Sequence, residues 1–457
     1  MLDPKIFKDY DIRATIPTQL DQEGMYQLGL AFAAHFKPQN VAIGRDMRNS
    51  SPHFFNELTK AFHSQGINVI DLGMITTDMS YFAAATLNVD LSLMITASHN
   101  PGEDNGLKVT TKGAIPVGGE TGLYKLRDSL SSLKQLKSAG KSGTTTKHDL
   151  WDAWIKHVLS FIETQNIKPL KLLVDAGNGM GGVITNKIAT KLPIQITPMY
   201  FEPDGNFPHH LANPLIPENT AELKKRVKSE MYDLGVAWDG DADRVYLIDD
   251  QGEFVSGTTL GALLADYLLN KHPQQKVIYN AVIGRVVEEI IKSHNSTPIR
   301  WRVGHALLKA KMREENALLA VEHSGHFFFR QNFFCDSGVI ALLLALEIIS
   351  KDGHKLSAIL DKYRKYPVSG EINFMVEDKQ KIMQNLEETY QTTATSTDWL
   401  DGVTVWFPDW WFNVRPSNTQ PLLRLNLEVN SDKIKITEKV KEVVALIETQ
   451  GGKRVEE

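Results

Sequence analysis

One pattern recurs along the chain and limits the folds that it can adopt: a short apolar strand, a loop of small and polar residues, and an amphipathic helix. The strands of the three occurrences are residues 41–43, 172–174 and 277–279. Short apolar strands that alternate with helices are typical of mainly parallel sheets with helices on their faces. The pattern therefore predicts three similar α/β domains.

Each of these domains has a second apolar strand that runs directly into a polar loop. The loops are residues 96–101, 239–244 and 322–326. Ligands of open parallel sheets bind beyond the carboxyl ends of the strands. Because all three loops occupy that position, we expect them to form the functional site.

The last part of the chain has a different pattern. Residues 403–407, 411–414 and 423–427 resemble antiparallel strands, with one helix before them and another after them. We expect a small α+β domain that acts as a lid. A chain of 457 residues is too long for one hydrophobic core. The predicted domains are residues 1–149, 150–254, 255–366 and 367–457.

Composition excludes several classes of protein. The chain is 42% hydrophobic and 23% charged, and its net charge of -5 argues against nucleic-acid binding through bulk charge. The amino-terminal residues lack the apolar stretch of a secretory signal, and no segment has the length of a membrane span. The single cysteine, Cys335, excludes an internal disulfide and is expected to be a buried apolar side chain. We expect a cytoplasmic protein with no nucleic-acid or membrane partner.

Residues 239–244 read Asp-Gly-Asp-Ala-Asp-Arg and follow an apolar strand. The small residues between the aspartates let the backbone curl, so that Asp239, Asp241 and Asp243 converge and their charges require a counter-ion. Ligation by oxygen alone favours Mg²⁺ over zinc. A solvated turn or a Ca²⁺ loop is the alternative, but the next strand begins at Val245 and leaves no room for an EF-hand continuation.

Ser98 lies in a loop between an apolar strand and a proline, beside His99. A serine in this position can accept a phosphoryl group, and Lys108 with the Mg²⁺ loop could stabilise the transferring charge. Side chains of adjacent residues usually diverge, so a hydrolase triad with His99 is an alternative that the spacing does not support. Taken alone, the loop could also be a structural turn.

The third loop places Glu322, Ser324 and His326 at alternate positions, which an extended segment would direct to one face. A carboxylate, a hydroxyl and an imidazole suit a polyhydroxylated ligand such as a sugar. A metal site or an ordinary turn is the alternative.

A fourth segment joins Arg415 to hydrogen-bonding side chains between two prolines. A guanidinium group with hydroxyls and backbone amides suits a phosphate dianion, although a helix cap or a strand connection would have a similar composition. The side chains that accompany the arginine are Ser417, Asn418 and Thr419. Together, the four loops predict a site for a phosphosugar.

In this order, the four loops resemble the motifs of the α-D-phosphohexomutase superfamily, and the resemblance spans essentially the whole chain. Supporting matches are residues 10–13, 44–51, 175–182, 203–219 and 303–305. The opening segment and residues 203–219 look most like the bacterial phosphomannomutase/phosphoglucomutase branch. The resemblance to phosphoglucosamine mutase is weaker.

The resemblance implies an isomerase that interconverts hexose 1-phosphate and hexose 6-phosphate, with mannose or glucose as the sugar. Ser98 would carry a phosphoryl group and complete the Mg²⁺ sphere of the three aspartates. A hexose 1,6-bisphosphate would be both the bound intermediate and the activator. The alternatives are phosphoglucosamine mutase, a phosphosugar phosphatase and a non-catalytic phosphosugar-binding relative. We expect a monomer or a weak dimer.

The resemblance also implies a role for each site residue. Lys108 and Arg244 would stabilise charge, Lys108 and His305 are candidates for proton transfer, and His99 is grouped with the catalytic residues. The sugar hydroxyls would bind Glu322 and Ser324. The phosphate that does not react would bind Arg415, Ser417, Asn418 and Thr419, while Tyr10, Arg13 and His326 would complete the pocket. Val282 stands where many relatives have a basic residue, and Arg285 or Arg302 could replace it; Gln420 replaces a common glutamate.

Overall fold

The computed structural model describes residues 2–130, 140–417, 422–430 and 433–455. The chain divides into two compact units. The first unit comprises Met1–Ser256, Lys309–Leu319 and Ser324–Ile359, and the second comprises Gly257–Leu308, Ala320–His323 and Leu360–Glu457.

The first sheet combines a parallel centre with an antiparallel edge. Its strand order is β1-β5-β4-β2-β3-β7, with β6 beside β5; β4, β2, β3 and β7 are parallel, whereas β5 is antiparallel to β4 and β1. The elements are β1 (Ile12–Thr15), α1 (Gln22–Phe36), β2 (Asn40–Arg45), α2 (Ser51–Ser64), β3 (Asn68–Met74), α3 (Thr77–Thr86), β4 (Leu91–Ile95), β5 (Asp104–Thr111), β6 (Ile115–Pro116), α4 (Tyr124–Ser129) and β7 (Thr145–Lys147).

The second sheet repeats this design. Its order is β12-β11-β10-β8-β9, in which β10, β8 and β9 are parallel, β11 is antiparallel to β10, and the edge strand β12 is antiparallel to β11. The elements are α5 (Trp151–Leu159), β8 (Leu170–Asp175), α6 (Gly181–Ala189), β9 (Ile194–Met199), α7 (Ala221–Ser229), β10 (Leu234–Trp238), β11 (Val245–Ile248) and β12 (Phe254–Val255).

The third segment also alternates strands and helices. Strands β13 and β14 pair in parallel, and β16 pairs with β17 in the antiparallel sense. The elements are α8 (Gly257–Lys271), β13 (Lys276–Asn280), α9 (Arg285–Ser293), β14 (Thr297–Trp301), α10 (His305–Glu315), β15 (Leu319–Val321), β16 (Phe327–Phe329), β17 (Cys335–Asp336), α11 (Gly338–Asp352) and α12 (Leu356–Leu360). Cys335 is buried, as predicted.

The C-terminal domain is an antiparallel sheet packed against two helices. Its strand order is β19-β20-β21-β22-β18-β23, and its core is rich in aromatic and aliphatic side chains. The three strands predicted for this region are β20, β21 and β22. The elements are β18 (Val368–Met375), α13 (Lys379–Tyr390), β19 (Ser396–Asp398), β20 (Val403–Trp406), β21 (Trp410–Pro416), β22 (Leu422–Val429), α14 (Lys433–Thr449) and β23 (Lys453–Val455).

The predicted fold class, three α/β domains with largely parallel sheets and a C-terminal α+β domain, is confirmed. Strands β4 and β10 are buried at every position. Central parallel strands with helices on both faces require such continuous apolar runs, so these strands could be predicted from the sequence. Within the described residues, no helix combines the length and the apolar character needed to cross a membrane.

Candidate active site

The aspartate loop connects β10 to the antiparallel strand β11. Asp239, Asp241 and Asp243 are all buried, and their ligand atoms lie within 4.8 Å of one another. Ala242 has a φ of 57°, in the left-handed region that non-glycine residues rarely adopt. This backbone turn brings alternate carboxylates to one point instead of directing them along an extended strand.

The serine loop, which connects β4 to β5, contacts the aspartate loop. Ser98 Oγ donates a hydrogen bond of 2.8 Å to Asp239 Oδ2. A side chain at Gly240 is excluded, because a Cβ atom there would lie 2.2 Å from the carbonyl oxygen of Ser98. Ser98 itself has a φ of 52°, and such backbone strain is common at functional sites.

Two basic side chains compensate the carboxylates. Arg244 Nη2 donates to Ser98 Oγ at 3.1 Å and to Asp239 Oδ2 at 2.8 Å. Lys108, on β5, contacts Asp241 at 2.7 Å and Asp243 at 2.5 Å through its Nζ atom. The three carboxylates therefore share two permanently charged partners.

The pKa values of these groups follow from burial and from their charged neighbours. Burial raises the pKa of Asp239 to about 7, although Arg244 acts in the opposite direction. Burial would also raise the pKa of Asp241 and Asp243, but Lys108, together with Thr77 beside Asp241 and His326 beside Asp243, holds both pKa values below the ordinary range. The pKa of Lys108 is raised despite its burial, because Asp241 and Asp243 stabilise the ammonium form.

The residues of this cluster fit a magnesium ion. Asp241 Oδ1 is buried and accepts no hydrogen bond from any residue that the structure describes. The three buried carboxylates provide the hard oxygen ligands that Mg²⁺ requires. A phosphoryl group on Ser98 would add a further oxygen beside Asp239.

His99 lies closer to Ser98 than we expected. Its Nδ1 atom is 3.2 Å from Ser98 Oγ, because the left-handed backbone of Ser98 turns the two side chains to the same side. Arg244 Nη2 also donates to this nitrogen, and burial together with Arg244 and Arg13 lowers the pKa of His99 well below its ordinary value. A nitrogen that accepts a hydrogen bond from a guanidinium group is a poor general base, which argues against a hydrolase triad.

Arg13, on β1, contacts the serine loop. Arg13 Nη1 donates to Asn100 Oδ1 at 2.5 Å and to the carbonyl oxygen of Ala97 at 3.1 Å, and its Nε atom pairs with Asp11. Arg13 therefore holds the loop. Tyr10 is half-buried in the segment that precedes β1.

The third loop turns at residues 323–325 and is not extended as we predicted, because Gly325 has a φ of 85°. Within the first unit, Ser324 Oγ lies 3.2 Å from His326 Nδ1. His326 Nε2 lies 3.6 Å from Asp243 Oδ1 and 3.8 Å from Asp336 Oδ2. The imidazole thus connects the aspartate loop to the end of β17.

The second unit contains the other predicted sugar-binding residues. Glu322 is buried, and its Oε1 atom accepts a hydrogen bond of 3.0 Å from the backbone N–H of Gly304. This contact anchors the turn that precedes α10, whose first residue is the half-buried His305. Arg285, a candidate replacement for the basic residue missing at Val282, donates to the carbonyl oxygens of Phe407 and Trp410 instead.

The predicted phosphate-binding arginine lies at the end of β21. Arg415 is buried, and its Nη2 atom donates to Glu371 Oε2 at 3.0 Å, while Arg424 contacts the other oxygen of Glu371 at 2.9 Å. Burial opposes ionisation of Glu371, but His323 and the two arginines lower its pKa to about 2. Ser417 closes the turn through a backbone hydrogen bond to Leu422. Asn418, Thr419 and Gln420 lie outside the described residues.

Three further residues support the site without having been predicted from the sequence. Thr77 Oγ1, at the start of α3, donates to Asp241 Oδ2 at 2.5 Å. Glu371 pairs with Arg415, and Arg48 donates to the carbonyl oxygens of the serine loop. Arg48 lies within residues 44–51, which support the family resemblance, but only the contacts with distant segments show what the three residues do.

Comparison with known proteins identifies the family. Its four domain descriptions, Phosphoglucomutase/phosphomannomutase alpha/beta/alpha domains I, II and III and the C-terminal domain, match residues 4–135, 152–252, 256–366 and 371–446. The matches follow one another along the chain in the order I, II, III and C-terminal domain.

Relatives align over nearly the full length of the chain. A protein of Xanthomonas campestris pv. campestris named Phosphohexose mutases is 37% identical over 96% of this chain and 98% of its own length. A phosphomannomutase of Salmonella montevideo is 35% identical over the same shares. The crystal structure of a phosphoglucomutase/phosphomannomutase family protein from Burkholderia thailandensis has a TM-score of 0.90 and 28% identity, with 99% of this chain and 100% of that chain covered. These findings show that the chain belongs to the phosphoglucomutase/phosphomannomutase family of phosphohexomutases, which the order of its four loops predicts.

Proposed function

We propose that this enzyme interconverts hexose 1-phosphate and hexose 6-phosphate, with mannose or glucose as the sugar, through phosphorylated Ser98 and a bound hexose 1,6-bisphosphate. One observation carries the proposal: Ser98 Oγ lies 2.8 Å from Asp239 Oδ2 and 3.1 Å from Arg244 Nη2. A hydroxyl between a carboxylate cluster and a guanidinium group is arranged for phosphoryl transfer, which depends on position and charge stabilisation.

Two transfers of opposite direction make up the reaction. In the first, the bond between phosphorus and Ser98 Oγ breaks as a bond forms to the free sugar hydroxyl, which gives up its proton. The bisphosphate then turns, the bond between its other phosphorus and the sugar oxygen breaks as a bond forms to Ser98 Oγ, and the sugar oxygen takes up a proton. Arg244 stabilises the charge at Ser98 in both transfers. The hexose monophosphate that leaves carries its phosphate at the other position.

The proton of the sugar hydroxyl needs an acceptor. Lys108 is held in the ammonium form by Asp241 and Asp243, since both raise its pKa. Its role is therefore electrostatic, and His305 is the better candidate for proton transfer. Mg²⁺, when bound by Asp239, Asp241 and Asp243, would neutralise charge on the transferring group.

Other residues would bind the part of the substrate that does not react. Glu322, Ser324 and His326 are the candidates for binding sugar hydroxyls. Arg415 would exchange Glu371 for the distal phosphate, with the help of Ser417, Asn418 and Thr419. The domain boundaries at residues 149, 254 and 366 also stay predictions.

A coupled assay on the purified enzyme tests the reaction. Mannose 1-phosphate, glucose 1-phosphate and glucosamine 1-phosphate are compared with Mg²⁺ and a trace of hexose 1,6-bisphosphate. The relative kcat/KM values identify the sugar and separate phosphomannomutase/phosphoglucomutase from phosphoglucosamine mutase. Release of inorganic phosphate at the rate of sugar turnover would indicate a phosphatase instead.

Ser98→Ala is the decisive variant. We expect it to abolish turnover and the addition of one phosphate that intact-mass spectrometry detects after treatment with hexose 1,6-bisphosphate. Binding of hexose monophosphate should persist. Ser64→Ala is the control, because this half-buried hydroxyl at the end of α2 donates to the carbonyl oxygen of Ala61. Near-normal activity of Ser98→Ala would refute the role of Ser98.

A further inference from the structure

Arg48, in the turn between β2 and α2, is buried and directs its guanidinium group at the serine loop. Its Nη2 atom donates to the carbonyl oxygens of Ser98 at 2.9 Å and Asn100 at 2.6 Å. Its Nη1 atom donates to those of Pro101 at 2.5 Å and Asp104 at 2.7 Å. One side chain therefore binds four backbone carbonyls around the phosphoryl-accepting residue.

The charge of Arg48 is compensated inside the first domain. Asp46 Oδ2 lies 3.3 Å from Arg48 Nε, and Asp46 Oδ1 accepts hydrogen bonds from Ser51 Oγ and from the Arg48 backbone N–H. Burial of an ion pair is costly unless its hydrogen bonds are well placed. Here the guanidinium donors are directed at a single loop, the one that holds Ser98.

The second domain covers Arg48 from the other side. A Cβ atom at Gly205 would lie 2.8 Å from Arg48 Cα, and the ring of Phe207 lies 5.3 Å from the guanidinium carbon. Asn49 Nδ2 donates to Asn206 Oδ1 at 2.8 Å. Residues 203–208, which the sequence singled out without a role, thus pack against the turn that carries Arg48.

The carbonyl group of Ser98 lies between two close neighbours. Arg48 binds its oxygen, and Gly240 of the aspartate loop approaches it so closely that no side chain fits. The left-handed φ of Ser98 is unfavourable for a residue with a side chain, so the surrounding contacts must hold it. Arg48 makes one of these contacts and immobilises the following residues as well.

We propose that Arg48 is a positioning residue for phosphoryl transfer: it holds the serine loop so that Ser98 Oγ lies against Asp239 and Arg244. The inference rests on the proposed function of Ser98. Lysine cannot replace Arg48, because one ammonium nitrogen carries three donors and lacks the planar fork that reaches four carbonyls. Arg48 acts through the backbone of Ser98 and not on the substrate.

Arg48→Lys tests this role in the full-length enzyme, because it keeps the charge and most of the volume. We expect a folded variant in which kcat falls by about 10²-fold, the effect of a small misplacement of a reacting group. The KM for hexose monophosphate should be unchanged. The rate at which hexose 1,6-bisphosphate phosphorylates Ser98, followed by intact mass, should fall with kcat.

Arg45→Ala is the matched control. Arg45 ends β2, pairs with Asp71 at 2.7 Å and lies over the ring of Phe55, and no described contact joins it to the serine loop. It removes a guanidinium group from the same segment, as both Arg48 variants do. We expect its kcat to stay at the wild-type value.

Arg48→Ala provides a second measurement. The space that it leaves is lined by four carbonyl oxygens and Asp46, so guanidinium ion, at concentrations too low to unfold the protein, should restore part of kcat. A residue needed only for folding would show lower thermal stability without this rescue.

The outcomes separate the two proposals. A folded Arg48→Lys with the kcat of Arg45→Ala would overturn the role of Arg48, as would a rise in KM at constant kcat. Failure of both Arg48 variants to fold would assign Arg48 to folding and overturn it too. A wild-type enzyme without mutase activity or phosphate on Ser98 would instead contradict the proposed function.

Discussion

The charged groups around Ser98 and those around Arg415 are balanced in opposite ways. In the aspartate cluster, three carboxylates share Lys108 and Arg244, and Asp241 Oδ1 is left without a hydrogen-bond donor among the described residues. In the C-terminal domain, Arg415 and Arg424 share Glu371, and Arg415 Nε has no acceptor among them. This charge balance favours a cation in the first centre, the proposed cation-binding centre, and an anion in the second, the proposed anion-binding centre.

The proposed function requires one protein to hold both a metal and a phosphate. Buried charges are costly, so each centre keeps partial compensation from its own residues. The missing charge must come from a ligand of the opposite sign. The following predictions test whether each centre has the preference that its balance indicates.

The largest effect is expected from Asp241→Asn, which removes a carboxylate from the cation-binding centre. Loss of the metal contribution, which is worth several kcal/mol, should lower kcat by about 10³-fold or more. Activity is measured over a titration with MgCl₂. Asp175→Asn is the control, because Asp175 is also buried at a strand end but pairs with His210. An Asp241→Asn enzyme with the wild-type Mg²⁺ requirement would show that the cluster does not bind the metal.

Arg415→Ala should weaken substrate binding by roughly 2 to 5 kcal/mol, because it removes a desolvated charge that would pair with phosphate. The effect should appear in KM more than in kcat, and steady-state kinetics measure both. Arg300→Ala is the control, since Arg300 is a partly buried arginine that pairs with Asp398 at 2.8 Å. An unchanged KM for Arg415→Ala would count against the anion-binding centre.

Glu371→Gln should reduce stability in a manner that depends on pH. The pKa of Glu371 is about 2 in the folded protein and 4.5 ordinarily, so its ionised form stabilises the fold above pH 4.5, and this contribution is lost as pH falls toward 2. The difference corresponds to about 3 kcal/mol at most. The free energy of unfolding in urea should therefore differ between wild type and variant, and this gap should narrow from about pH 5 to pH 3. Glu388→Gln, on the exposed side of α13, should show no such gap. A gap for Glu371→Gln that does not change with pH would disprove the pairing.

Lys108→Gln should have the smallest effect of these variants, and it should strengthen Mg²⁺ binding instead of weakening ligand binding. Without the ammonium group beside Asp241 and Asp243, the cluster should bind Mg²⁺ more tightly. The gain should be about 1 kcal/mol, which is the repulsion between two unit charges about 4 Å apart in bulk water. Calorimetric titration measures this affinity. The kcat should fall, since the same charge stabilises the transferring group. Weaker Mg²⁺ binding would mean that Lys108 supports the metal site and does not compete with it.

The fold was largely accessible from the sequence. Buried parallel strands such as β4 and β10 need continuous apolar runs, and these runs are visible without coordinates. The convergence of the three aspartates was also predictable from the sequence, because they are neighbours in the chain and their charge must be neutralised whatever surrounds them.

Only the tertiary structure decided which distant segments act together. Ser98 and Asp239 are 141 residues apart, yet their side chains form a hydrogen bond. No periodic pattern in the sequence indicates that Arg415 pairs with Glu371 or that Arg48 binds the serine loop. Each contact depends on how separate strands and turns pack. A local sequence pattern predicts the conformation of its own segment. The partners of a side chain in another domain depend on distances that exist only in the folded protein.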